Sequence, residues 1–204
     1  MTPAQPAPEW IPERLISGGT GDEQRLVVKT DCWHLFHAPV LRRLYPDAPF
    51  ILLYRSPDAV LGSQHKARGS HMVPGLIARA PFEIAYDPAR MTLDQYGAAV
   101  LERHYQAMLD LSAHDPHTLL VNYAEGFPAV FLRAAAWLGL SFDDAQVGRI
   151  RERCGFHGKR PQDAFGGDRM PSLDGVDLTP LQGLFDRLET GRAAGALPPG
   201  TARA

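Results

Sequence analysis

An arginine that leaves an apolar strand and runs straight into a helix start is equipped to hold an anion. Phe50-Ile51-Leu52-Leu53-Tyr54-Arg55-Ser56-Pro57-Asp58-Ala59-Val60-Leu61-Gly62-Ser63 has that form. Ser56 suits the N-cap and Pro57 the first helical position, so Arg55 falls at the carboxyl end of the strand with a planar fork of donors. Ser63 follows Ser56 by two helical turns and adds a hydroxyl from the same face. The other reading of these residues is an arginine capping a sheet edge beside an ordinary helix, and the motif alone does not separate the two.

The elements around this motif repeat its logic. Arg25-Leu26-Val27-Val28-Lys29-Thr30 reads as a second apolar strand ending in a cation, and Trp33 to Tyr45 as an apolar-striped helix before the turn Pro46-Asp47-Ala48-Pro49. Thr92 to Ala113 reads as a long amphipathic helix with Leu93, Tyr96, Val100, Leu101, Tyr105, Met108 and Leu109 on its core side. Leu119-Leu120-Val121-Asn122-Tyr123 is a short strand and Phe127 to Leu140 a further helix. Between them, His65 to Arg90 has no long period but carries aromatic, methionine and proline residues, which is the composition of a substrate lid. His65 and His71 either touch an acceptor there or face solvent.

Composition places the chain among α/β proteins of one domain: 204 residues, 45% hydrophobic, 22% charged, formal net charge −2. That balance argues against a nucleic-acid binder, so anion affinity must come from local placement of cations. Cys32 and Cys154 lack CxxC or histidine spacing, which supports neither a disulfide framework nor a metal site and leaves Cys32 as a small core or site-wall residue. No run approaches membrane-spanning length and no signal peptide is visible, so a cytoplasmic protein is expected. The domain is bounded at 25–190, with a tail and turn over 1–24 and a second tail over 191–204, both rich in Pro, Ala and Gly and expected to be mobile.

Taken together, Lys29-Thr30, Pro46-Asp47-Ala48 and the Arg55…Ser63 element resemble the sulfotransferase family, and Cys32-Trp33-His34, Leu53-Tyr54-Arg55-Ser56-Pro57 and Met72-Val73-Pro74-Gly75 are similar to its bacterial members. The resemblance covers roughly residues 25 to 190 and extends to Trp137-Leu138-Gly139-Leu140 and to the loop Gly158-Lys159-Arg160. It implies a three-layer parallel sheet flanked by helices, the P-loop NTPase-like sulfotransferase fold. It also implies 3′-phosphoadenosine 5′-phosphosulfate (PAPS) as co-substrate, with no metal and with a small-molecule hydroxyl or amine as acceptor. On that basis Arg55 and Ser63 would hold the 3′-phosphate, Lys29 would lie near the transferred group, and Lys159 and Arg160 would clamp phosphate.

Sulfuryl transfer also needs a base. Where many members of the family carry a histidine after Lys-Thr this chain has Asp31, so Asp31 and His34 are the candidates, with Asp31 as N-cap of the Trp33 helix the alternative. The family's opening strand, phosphate loop and helix have no counterpart here: Ser17-Gly18-Gly19-Thr20-Gly21 imitates such a loop, but no apolar strand precedes it and a strand, not a helix, follows. A fold incomplete at its amino terminus is therefore expected, its sheet edge completed by Arg14-Leu15-Ile16, by a homodimer or by a complementing amino-terminal chain. Three functions follow from the sequence: a PAPS-dependent transferase, weak or inactive as this chain alone; a catalytically dead nucleotide- or partner-binding remnant; or a nucleotide kinase, for which no Walker loop is found.

Overall fold

A computed structural model describes residues 26–77, 84–156, 173 and 175–195. The chain divides into two units, residues 1–31 and 32–204. In the first, Leu26, Val27 and Val28 are 63%, 78% and 53% exposed and have no regular secondary structure. The strand expected over 25–30 is therefore not formed by its described residues. Apolar residues favour a strand only when a pleated partner surface covers them, and these three remain exposed.

The second unit is α/β. Among the described residues its α-helices are α1 (Ala38–Leu44), α2 (Pro57–Lys66), α3 (Leu93–His114), α4 (Phe127–Trp137), α5 (Asp144–Cys154) and α6 (Thr179–Ala194). Strands β1 (Phe50–Tyr54) and β2 (Thr118–Asn122) pair in parallel, with Phe50 opposite Thr118 and Tyr54 opposite Asn122. Among the described residues the sheet has these two strands, so the larger three-layer sheet is met only in its coarser part: parallel pairing with crossover helices. The helix expected over 33–45 splits into a 3-10 turn, Cys32–His37, and α1. Pro39 explains the break, since a proline has no N–H to give back along a helix and its ring collides with the carbonyl four residues earlier, so it is accepted only in a first turn. Cys32, expected in the core or a site wall, is exposed.

β2 is buried along Leu119, Leu120, Val121 and Asn122 because both faces of the strand are covered. Leu120 joins the main core with Val100, Leu101 and Tyr105 of α3 and Leu181 and Leu188 of α6. Leu119 and Val121 point the other way, against Val130 and Trp137 of α4. α3 follows its predicted stripe: Tyr96, Val100, Leu101 and Tyr105 are buried, and only Leu93, in the first turn, is left 40% exposed. Its start is fixed by a capping box, the Gln95 N–H donating to Thr92 Oγ1 at 3.1 Å and the Thr92 N–H to Gln95 Oε1 at 2.9 Å.

α4 ends three residues earlier than expected, in a Schellman motif: Leu140 N–H reaches Ala135 O at 2.8 Å and Gly139 N–H reaches Ala136 O at 3.0 Å. Gly139 sits at φ +67°, a conformation that a side chain would resist. The expected lid is pinned where it is described. Met72 is 2% exposed in the core, Arg68 pairs with Asp94 of α3, and the Gly69 N–H donates to Gln64 Oε1 at 2.7 Å. Val73-Pro74-Gly75-Leu76 closes a turn, with Leu76 N–H on Val73 O at 3.3 Å and Gly75 at φ +83°. α6 runs through Ala194, so the boundary drawn at 190 falls inside a helix whose Leu188 is fully buried.

Candidate functional site

Because β1 and β2 are parallel and in register, both end at the same edge of the sheet, which is where α/β proteins take ligands. The residues that leave the strands there are Arg55 and Tyr123. The half-buried Arg55 guanidinium lies 4.8 Å from the centre of the Tyr123 ring, a cation–π contact that aims the fork. Its backbone carbonyl accepts a hydrogen bond from the Tyr105 hydroxyl of α3, which ties the strand end to the core. Burial, and then the charge of Asp58, push the Tyr105 phenol up, with Arg55 opposing, so that hydroxyl remains a donor. Among the described residues no carboxylate forms an ion pair with Arg55.

Ser56 takes the N-cap position of α2 with extended backbone (φ −63°, ψ 150°) and Pro57 follows, as expected, but the Ser56 side chain makes no capping hydrogen bond. The first turn of α2 therefore offers its N–H groups beside Arg55, although Asp58 lies in the same turn. Ser63 is half-buried farther along α2. Arg55 thus lies in the link between β1 and α2, and Ser63 within α2. Lys29 and Asp31 are exposed and belong to the first unit, while His34 lies in the second, half-buried and stacked on Trp33 with ring centres 3.8 Å apart. Lys159 and Arg160 lie outside the described residues.

A second cluster at the same edge was not anticipated. The Glu189 carboxylate of α6 accepts from the Tyr54 hydroxyl, from Asn122 Nδ2 at 2.9 Å and from Arg192 Nη2 at 2.7 Å. Arg192 Nη1 also reaches Glu125 Oε1 at 3.4 Å, and Arg133 Nη1 reaches Glu125 Oε2 at 3.1 Å. Hydrogen bonds from Arg192 hold the Glu189 carboxyl down at about 2 against its partial burial, with help from Tyr54 and Asn122. Burial and then Glu189 raise the Tyr54 phenol. The only local signal for this cluster is the Glu189/Arg192 spacing of three on a helix. Asn122 and Tyr54 come to Glu189 from 67 and 135 residues away, and no sequence pattern joins them.

Two histidines also meet. His104 of α3 is 4% exposed, and its Nδ1 lies 2.7 Å from Val100 O, so Nδ1 carries the proton. Its ring sits edge-on to Phe36 and 5.9 Å from His71, which is half-buried. His65 is the exposed one, 3.5 Å from Asp94. A cavity of about 180 Å³ opens at the start of β2 between Leu109, Ser112, Thr118, Gly191 and Arg192, and none of the expected site residues lines it. No described helix is long and apolar enough to cross a membrane. The chain matches no protein-family model, no curated protein and no solved structure.

Proposed function

We propose that this chain binds the 3′-phosphate of PAPS at Arg55 and Ser63 and is a sulfotransferase-type protein, moving a sulfuryl group to a small hydroxyl or amine acceptor in the cytoplasm. The observation that carries this reading is Arg55 itself: half-buried at the carboxyl edge of a parallel sheet, held over Tyr123, directly before a helix N-terminus, with no carboxylate pairing it among the described residues. On this reading β1 and β2 belong to the three-layer sheet of a P-loop NTPase-like sulfotransferase fold. Lys159 and Arg160 clamp phosphate, Lys29 approaches the leaving phosphate oxygen, and Asp31 or His34 takes the acceptor proton. A homodimer or a complementing chain would complete the sheet.

One observation favours a second reading, a nucleotide-binding module without transfer activity. Lys29 lies in an exposed, irregular segment, and a cation that neutralises a leaving group must be held in place before the reaction. Binding and transfer therefore separate experimentally. Arg55→Ala is expected to weaken adenosine 3′,5′-bisphosphate by roughly tenfold or more, the worth of one charge-assisted contact, with the circular dichroism spectrum unchanged. Unaltered affinity in a folded variant sinks the assignment.

A further inference from the structure

The Glu189 carboxylate collects four donors from three elements. Oε1 takes the Tyr54 hydroxyl at the end of β1, Asn122 Nδ2 at the end of β2 and Arg192 Nε at 3.2 Å, and Oε2 takes Arg192 Nη2 at 2.7 Å. A planar two-oxygen anion is what this arrangement fits, because an arginine fork presents parallel donors and the two strand ends converge on one of the oxygens. The seat stands where parallel sheets receive ligands, yet a side chain of the protein fills it.

Charge explains why the seat stays anion-selective when that side chain leaves. Without Glu189, Arg192 and Arg133 face a single carboxylate, Glu125, and the hydroxyl and amide of Tyr54 and Asn122 lose a common acceptor. The Glu189 side chain is 30% exposed, whereas its neighbour Leu188 is fully buried. A rotamer change can therefore carry the carboxylate into water while α6 stays packed on α3, a side-chain event and not an unfolding. We propose that Tyr54, Asn122 and Arg192 form a carboxylate-binding seat that Glu189 occupies in cis, and that a ligand bearing a carboxylate takes the seat when Glu189 turns out. This seat is independent of Arg55 and of the nucleotide reading.

The test uses the full chain with acetate as the probe and chloride at equal ionic strength as the control, followed by thermal denaturation and by NMR titration. Glu189→Ala is expected to bind acetate roughly tenfold more tightly than the wild-type chain, as removal of an internal competitor requires, and Glu189→Ala with Tyr54→Phe is expected to lose most of that gain. Should Glu189→Ala not fold, Glu189→Gln keeps the acceptor oxygen for Tyr54 and Asn122 and is still expected to take acetate more tightly than wild type, since a neutral amide competes less well for Arg192. Arg55→Ala added to either variant is expected to leave the gain intact, which separates this proposal from the nucleotide site. The seat is overturned if acetate stabilises these variants no more than chloride, if the gain survives Tyr54→Phe, or if sulfate gains more than acetate.

Discussion

Burial holds His104 neutral. Enclosed by α3, Phe36 and His71, its imidazole is pushed down from 6.5 to about 4, chiefly by desolvation, with the hydrogen bond to the Val100 carbonyl opposing and His71 adding to the shift. A base whose folded pKa is depressed contributes stability that is complete above its unfolded pKa and is lost as pH falls through the folded one. Stability is therefore expected to fall between pH 6.5 and 4 by up to about 3 kcal/mol from this residue. His104→Phe is expected to flatten that window in a urea-denaturation series. Glu189, drawn down from 4.5 to about 2, loses its share only at lower pH, so the two effects separate along the axis. An unchanged slope between pH 6.5 and 4 in His104→Phe would contradict the assignment. At this scale the sequence was legible for Arg55, because strand, arginine, N-cap and proline are adjacent and local chemistry settles their order. It was not legible for Glu189, whose partners Tyr54 and Asn122 are joined to it only by the fold.

The elements divide by whether their signals are local. α3 and β2 lie within a residue of their expected bounds, and β1 ends and α2 begins where Arg55-Ser56-Pro57 places them, because an N-cap with its proline and continuous apolar runs mark these ends within the sequence. The segment 26–30 has equally strong strand composition, but a strand is completed by a partner, and composition does not supply one. Pro39 was a readable stop inside the predicted 33–45 helix, and its structural effect is the division between the 3-10 turn and α1. α6 matters most for the site, since it delivers Glu189 and Arg192 to the sheet edge while anchoring through Leu181 and Leu188, which are 2% and 0% exposed. Leu188→Ala is expected to cost about 2–5 kcal/mol in chemical denaturation, the usual cost of a cavity in a closed core. A loss under about 0.5 kcal/mol, typical of a surface position, would contradict the packing of α6 on α3.

Across the molecule, a parallel sheet with its strand ends aligned brings two arginine-bearing assemblies to one edge. One is Arg55 over Tyr123 at the start of α2, the other the Tyr54–Asn122–Arg192 seat filled by Glu189. β1 is less covered than β2: Ile51 and Leu53, on the face they share with Leu119 and Val121, are 38% and 44% exposed, a face that a further helix or a second chain would cover in the proposed fold. The role proposed for the first assembly is that Arg55 reads a phosphate on the 3′ position of an adenine nucleotide. Titration calorimetry of the chain with adenosine 3′,5′-bisphosphate, set against adenosine 5′-monophosphate, tests it without any acceptor. Tighter binding of the bisphosphate by roughly tenfold or more is expected, the contribution of one charge-assisted phosphate contact. Equal affinities, or no binding of either nucleotide, would contradict it.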